Sequence, residues 1–319
     1  MPSEFALIAR YFARPTPQAV LGPGDDCALL APSPGMELAI TTDMLVEGTH
    51  FLADTDPWQL GWKTLAVNLS DLAAMGARPR WVLLAGSLPA AREDWLAAFA
   101  AGLFACAHRY TVDLVGGDTT RGPLNLCLTA LGELPAGSAL RRDCAQAGDD
   151  IWLSGQTGLA ALALAHLQRR AVLPDELATA CLAALQQPQP RVELGLALRQ
   201  QRLARTAIDV SDGLLGDLRH ILERSRLAAE LFLADLPPLP AGVDPDLARR
   251  CQLAGGDDYE LLFLAPPAQR GELAVLADTL GLPLSRIGRT IAGPPGACTV
   301  FTADGQPLPI DDRGYDHFG

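Results

Sequence analysis

Hydrophobic and polar positions recur along this chain with two different periods. Short apolar runs bounded by Gly, Pro or Asp predict strands at 37–42 (ELAITT), 80–88 (RWVLLAGSL), 124–133 (LNLCLTALGE), 206–210 (TAIDV) and 259–265 (YELLFLA). Helical spacing predicts helices over 57–75, 93–109, 157–169, 190–203, 212–224 and 268–280. In the first of these, Trp62, Leu65, Ala66, Leu69, Leu72 and Ala73 make one apolar face, and Asp71 lies opposite it. The opening MPSEFALIARYF reads as a short amphipathic helix. Strands interleaved with helices define an α/β or α+β chain. Apolar periodicity lapses over 135–149, which is polar and rich in small residues. That lapse divides the 319 residues into expected domains at 1–147 and 148–319, as the length favours.

Composition narrows the function classes. A hydrophobic share of 49% against 19% charged residues supplies enough apolar surface for a large core. The net charge of -12 repels nucleic acid and anionic membranes unless a cation reverses the local field. Phosphate chemistry on such a surface needs that cation. The seven cysteines are scattered, with no C-x-x-C pair, which argues against a zinc ribbon or a disulfide framework. They read as thiols of a reducing cytosol. The longest apolar stretch, 96–107, is too short to span a bilayer, and the N-terminus lacks a signal-peptide pattern. A cytoplasmic protein without membrane or nucleic-acid partners is expected.

The candidate chemistry lies in the aspartates. Asp25 and Asp26 follow the corner Gly22-Pro23-Gly24, and Asp43 follows AITT. Asp118 follows LVGG, and Asp209 ends TAI with Asp212 three residues on. Asp257 and Asp258 follow Gly255-Gly256. Carboxylates at strand ends and glycine corners can converge on one crevice, where a cation must lie between them. Such hard oxygen donors select Mg²⁺, Mn²⁺ or Ca²⁺ over zinc. Each position has an ordinary alternative. Ser211 or Asp212 can be a helix N-cap, Asp71 a solvated surface residue, and Asp43 and Asp118 turn residues. Walker A, kinase HRD and DFG, and G-x-S-x-G signatures are absent, and the five histidines show no metal-ligand spacing. Cys27 has no Lys or His beside it to activate a thiol.

Seven segments carry a family resemblance: GPGDDCALL (22–30), TTDMLVEGTHF (41–51), AVNLSDLAAMGARP (66–79), GGDTTRG (116–122), IDVSDGL (208–214), GGDDYEL (255–261) and GYDHF (314–318). In this order they resemble the thiamine-monophosphate kinase family, a branch of the aminoimidazole ribonucleotide synthetase-like superfamily. The resemblance implies a two-domain α/β plus α+β fold. Its N-terminal sheet would complete a barrel with a second copy in a homodimer, and its C-terminal domain would close over ATP. It implies transfer of the ATP γ-phosphoryl group to thiamine monophosphate, the last step of thiamine diphosphate biosynthesis. Matched residue by residue, Asp26, Thr41, Thr42, Asp43, Asp71, Asp118, Asp209 and Asp212 would hold several Mg²⁺ ions. Gly117, Asp118, Arg142 and Ser211 would contact ATP, and His50, Asp257 and Tyr315 the substrate. Asp25 receives no role. No dedicated general base is expected, because the acceptor is a phosphate largely ionised at neutral pH. One departure stands out: the family reads G-G-E-D-Y-E where this chain has Asp257, a shorter arm. Arg141, beside Arg142, is the other candidate for the ATP phosphates.

Overall fold

The structure, a computed structural model, describes residues 4–309. The chain divides into two compact units, Met1–Leu72 with Ala77–Ser138, and Ala73–Gly76 with Ala139–Gly319. No helix among the described residues is long and apolar enough to cross a membrane.

The first unit starts with α1 (Glu4–Leu7), which runs on as a wider π-turn over Ile8–Phe12. Its sheet has four strands, β1 (Met36–Val46), β2 (Arg78–Leu88), β3 (Asp113–Arg121) and β4 (Asn125–Pro135), in the order β1-β4-β2-β3. The sheet is open. Strand β4 runs antiparallel to β1 and β2, while β3 lies parallel to β2 after the crossover helix α3 (Glu93–Tyr110). Strand β3 escapes the hydrophobic pattern because Gly116, Gly117 and Asp118 interrupt it, and an edge strand tolerates that. One face of β1 leaves Met36, Leu38, Ile40 and Met44 exposed, Ile40 by 62%.

Helix α2 (Pro57–Ala74) corrects the one-faced reading. Every residue from Leu60 to Ser70 is buried, including Lys63, Thr64, Asn68 and Ser70. Opposite the apolar stripe, Asn68 and Asp71 bond to β1, and the Thr64 hydroxyl donates to the Leu60 carbonyl of its own helix at 2.7 Å. Two glycines let α2 and α3 approach closely. A Cβ at Gly102 would stand 1.8 Å from the Trp58 carbonyl oxygen, and one at Gly61 would stand 2.0 Å from that of Phe99.

The second unit holds a seven-stranded sheet of order β11-β10-β7-β9-β5-β8-β6. Its strands are β5 (Asp150–Ser154), β6 (Thr206–Asp209), β7 (Ala228–Phe232), β8 (Leu261–Ala265), β9 (Leu284–Ile291), β10 (Cys298–Phe301) and β11 (Pro307–Leu308). The helices are α4 (Leu159–Leu167), α5 (Asp175–Gln186), α6 (Val192–Gln200), α7 (Leu214–Ser225), α8 (Pro245–Ala254) and α9 (Arg270–Leu280). Ile151, Ile208, Val210, Leu218, Ile221, Leu262 and Ile287 form its core. Strands β5, β7, β9, β10 and β11 and helices α5 and α8 add to the elements predicted. Strand β5 is a five-residue, fully buried run, which periodicity cannot assign. Buried Asp150 at its start is held by two nearly parallel bonds from Arg270, 2.6 and 2.7 Å long.

The close helix crossing gives a test with an unusual sign. Helix propensity favours Ala over Gly by about 1 kcal/mol, yet Gly102→Ala must push α2 and α3 apart. Urea denaturation is expected to show a net loss of about 1–3 kcal/mol; a stabilised variant would show that the helices need not touch.

Candidate functional site

The predicted residues fall into separate groups, and the first unit carries two of them. Around the 22–26 corner, Gly24 takes a φ of +125°, a conformation open to glycine. Asp25 Oδ1 accepts the Asp26 N–H at 2.9 Å, so Asp25 braces the turn that presents Asp26. Both line a cavity of about 920 Å³ together with Gly117, Asp118 and the apolar side chains of Trp95 and Phe99. Gly117 lies against β2, where a Cβ would come within 1.9 Å of the Leu84 carbonyl oxygen. Only glycine permits that approach, which sets the backbone and Asp118 at the cavity wall.

The second group joins β1 to α2. The Thr41 hydroxyl donates to Asp71 Oδ2, and Thr42 shares a hydrogen bond with Thr129 on β4. The Asp43 N–H donates to Asn68 Oδ1 at 3.1 Å, and Asn68 Nδ2 donates to the Thr64 carbonyl at 3.2 Å. Asp71 is therefore a partner of β1 and not a freely solvated residue. Asn68, absent from the expected set, was legible as a polar residue one helical turn before Asp71. In the turn after β1, His50 Nδ1 accepts the Val46 N–H at 3.1 Å, which leaves Nε2 as the protonated nitrogen of the neutral ring.

Strand register separates these groups. Asp43 pairs with Leu128, Leu128 with Leu84, and Leu84 with Gly117. Asp43 and the Gly117-Asp118 pair thus sit at one level but on opposite edges of the sheet. Three strand spacings put them roughly 14 Å apart along the sheet, too far for one ion to bind both within one chain. Among the described residues no three Asp, Glu, His or Cys side chains cluster closely enough to hold a metal. The strand-end expectation also changes. Asp43 and Asp118 lie within β1 and β3, and Asp209 alone of the three ends its strand.

In the second unit, Asp209 is buried at the end of β6, and Ser211 and Asp212 form the turn into α7. Neither Ser211 nor Asp212 caps that helix. Its N-cap is Gly213, at a φ of +117° with no side-chain cap bond. Instead Asp217, from inside α7, accepts the backbone N–H groups of Ser211 at 3.0 Å and Asp212 at 3.1 Å. Burial, with the Asp212 charge second, raises the Asp217 carboxyl to about 7. The Asp257 N–H donates to the Ser211 carbonyl at 2.8 Å, so the SDG and GGDD turns lie side by side. A Cβ at Gly256 would come within 2.3 Å of that carbonyl. Arg141 is tied to Asp143 by two bonds of 2.8 and 2.6 Å, whereas Arg142 is exposed and has no ion pair among the described residues. The Arg142 charge does act on Asp217, lowering its carboxyl against the effect of burial. Tyr315 lies outside the described residues.

Known proteins resemble this chain over nearly its whole length. Residues 24–134 match the AIR synthase related protein N-terminal domain, and residues 146–300 match its C-terminal domain. The protein is therefore of the two-domain AIR synthase-like class, with mixed α and β content. It is 48% identical to thiamine-monophosphate kinase of Escherichia coli K12 over 322 aligned residues, covering 99% of this chain and 98% of the relative. The crystal structure of thiamine-monophosphate kinase from Stenotrophomonas maltophilia K279a superposes with a TM-score of 0.84 at 50% identity, covering 95% of each chain. AaThiL complexed with AMPPCP and TMP superposes at 0.76 with 27% identity, over 90% of this chain and 89% of the other. The chain belongs to the thiamine-monophosphate kinase family.

Asp217 supplies a prediction. Its folded carboxyl holds a proton up to about 7, against an ordinary value of 3.8. Between those values the folded state binds more protons than the unfolded chain, so this group lowers stability as pH rises through the window. One proton contributes at most about 1.4 kcal/mol per pH unit. Urea denaturation across the window is expected to show a shallower fall for Asp217→Asn than for the parent; parallel curves would contradict it.

Proposed function

We propose that the protein transfers the γ-phosphoryl group of ATP to the phosphate of thiamine monophosphate, forming thiamine diphosphate and ADP. Family membership over nearly the whole chain carries this reading. The AaThiL complex with AMPPCP and TMP supports it. The acceptor is an ionised phosphate, so the attacking oxygen needs no base to remove a proton. What the reaction needs is alignment and neutralisation of charge. The donors available are carboxylates and hydroxyls, which suit magnesium. Asp26, Thr41, Thr42, Asp43, Asp71, Asp118, Asp209 and Asp212 would hold it, and it would offset the repulsion between two anionic substrates.

The remaining residues divide the binding work. The Gly117 backbone, bare of a side chain, allows close approach of ATP phosphates. Arg142 adds a positive charge, and the Ser211 hydroxyl a hydrogen bond. On the acceptor side, His50 Nε2–H can donate to the substrate phosphate. The Asp257 carboxylate answers the thiazolium charge or the aminopyrimidine amine, and the Tyr315 ring offers a stacking surface. Incubation with magnesium and ATP is expected to convert thiamine monophosphate, but not free thiamine, into the next phosphate ester. Absence of product at every magnesium concentration would overturn the proposal.

The exposed apolar face of β1 and the free edges of β1 and β3 support a homodimer whose two sheets close into one barrel. With β1 of one copy beside β3 of the other, Asp43 would meet the partner subunit's Asp118 across the seam. That arrangement removes the separation of roughly 14 Å imposed by three strand spacings. Subunit mixing tests it. Asp43→Asn and Asp118→Asn chains should each be inactive alone. Co-expressed in equal amounts, they should recover about a quarter of parental activity, since half the dimers are mixed and each carries one intact site. If both residues served one site in the same chain, mixing would restore nothing.

A further inference from the structure

The segment Gly255–Leu261 is held more firmly than a binding loop requires. Asp258 and Glu260 are buried anchors. Asp258 accepts the Gly158 N–H at 2.6 Å and the Ala160 N–H at 3.4 Å. Glu260 is gripped by Arg191 through two bonds of 2.6 and 2.5 Å, and it also accepts the Ser154 hydroxyl at 2.5 Å. Asp257 and Tyr259 are half-buried. Their backbones are pinned as well: Asp257 N–H bonds the Ser211 carbonyl and Tyr259 N–H the Val210 carbonyl, each at 2.8 Å. Both adopt left-handed backbone angles, φ +73° and +53°. Side-chain-bearing residues rarely take such angles, and two of them at alternate positions persist because the anchors on either side impose them. The outcome is a specific meeting: the Tyr259 hydroxyl donates to Asp257 Oδ1 at 3.0 Å.

The geometry points to Tyr259 as a positioning residue that fixes the Asp257 carboxylate for the thiamine portion of the substrate, an inference that rests on Asp257 being a substrate contact. A carboxylate on a single methylene has few rotamers, and a phenol donor on one oxygen selects among them. The orientation of the carboxylate toward the cationic or amine-bearing ring is thereby set. Tyr259 acts through Asp257 and need not touch the substrate.

Steady-state kinetics on the full-length protein, varying thiamine monophosphate and ATP separately, test this. Tyr259→Phe is expected to raise KM for thiamine monophosphate about five- to tenfold, the scale of one ordinary hydrogen bond, because Tyr259 acts on the substrate only through Asp257. KM for ATP and the thermal midpoint should stay close to the parent's. Asp257→Asn should raise the same KM, and the double variant should be no worse than Asp257→Asn alone. Multiplied effects in the double variant, or an unchanged KM in Tyr259→Phe beside a raised one in Asp257→Asn, would overturn the positioning role. An unchanged KM in Asp257→Asn would overturn the reading of Asp257 as a substrate contact, and the role of Tyr259 with it.

Discussion

Carboxylates brought within a few ångströms of each other repel, by about 4 kcal/mol for a pair at 4 Å in a surface-like medium. That constraint governs where this protein can place its aspartates. The fold meets it by distributing them. Asp43 and Asp118 stand on opposite sheet edges, Asp26 rides a glycine corner, and Asp209 and Asp212 belong to the second unit. Asp71 takes a threonine hydroxyl, and Asp217 takes two backbone N–H groups. Where carboxylates do crowd, the repulsion shows in their protonation: the Asp212 charge adds to burial in raising Asp217, and the Glu260 and Asp257 charges add to burial in raising Asp258.

The same logic explains why binding residues rest on the most rigid parts of the structure. Asp43 and Thr41 are strand residues tied to a fully buried helix. Asp257 sits on a segment whose neighbours are locked by a buried ion pair and by the start of α4. A phosphoryl transfer that relies on alignment gains from supports that do not shift, because small misplacements cost rate steeply. Glycine enters at close approaches between backbones: Gly117 against β2, Gly256 against the Ser211 carbonyl, and Gly102 between two helices. At each of these a side chain would force apart the elements that hold the site.

Much of this was legible in the order of residues. Strands β1, β2, β4, β6 and β8 and the principal helices followed from hydrophobic period. The candidate ligands followed from aspartates after glycine-rich or apolar runs. The ordinary alternatives that local pattern left open fail for one cause, that it does not reveal what lies opposite a residue. Asp71 could have been a solvated surface residue, yet it accepts the Thr41 hydroxyl of β1. Ser211 or Asp212 could have capped α7, yet Asp217 reaches back to their backbone instead. Strand β3 was hidden by the glycines that let it approach β2.

The sequence by itself determined the chemistry available: hard oxygen donors, no nucleophile or base in a recognised motif, and a family whose substrates are phosphates. It also determined the corners at which those donors stand, since glycine and aspartate spacing is a local property. Tertiary structure alone decided which donors are neighbours. Register across four strands separates Asp43 from Asp118, and two strained residues pair Tyr259 with Asp257. Such distances are set by packing between segments far apart in the chain, and no local pattern encodes them.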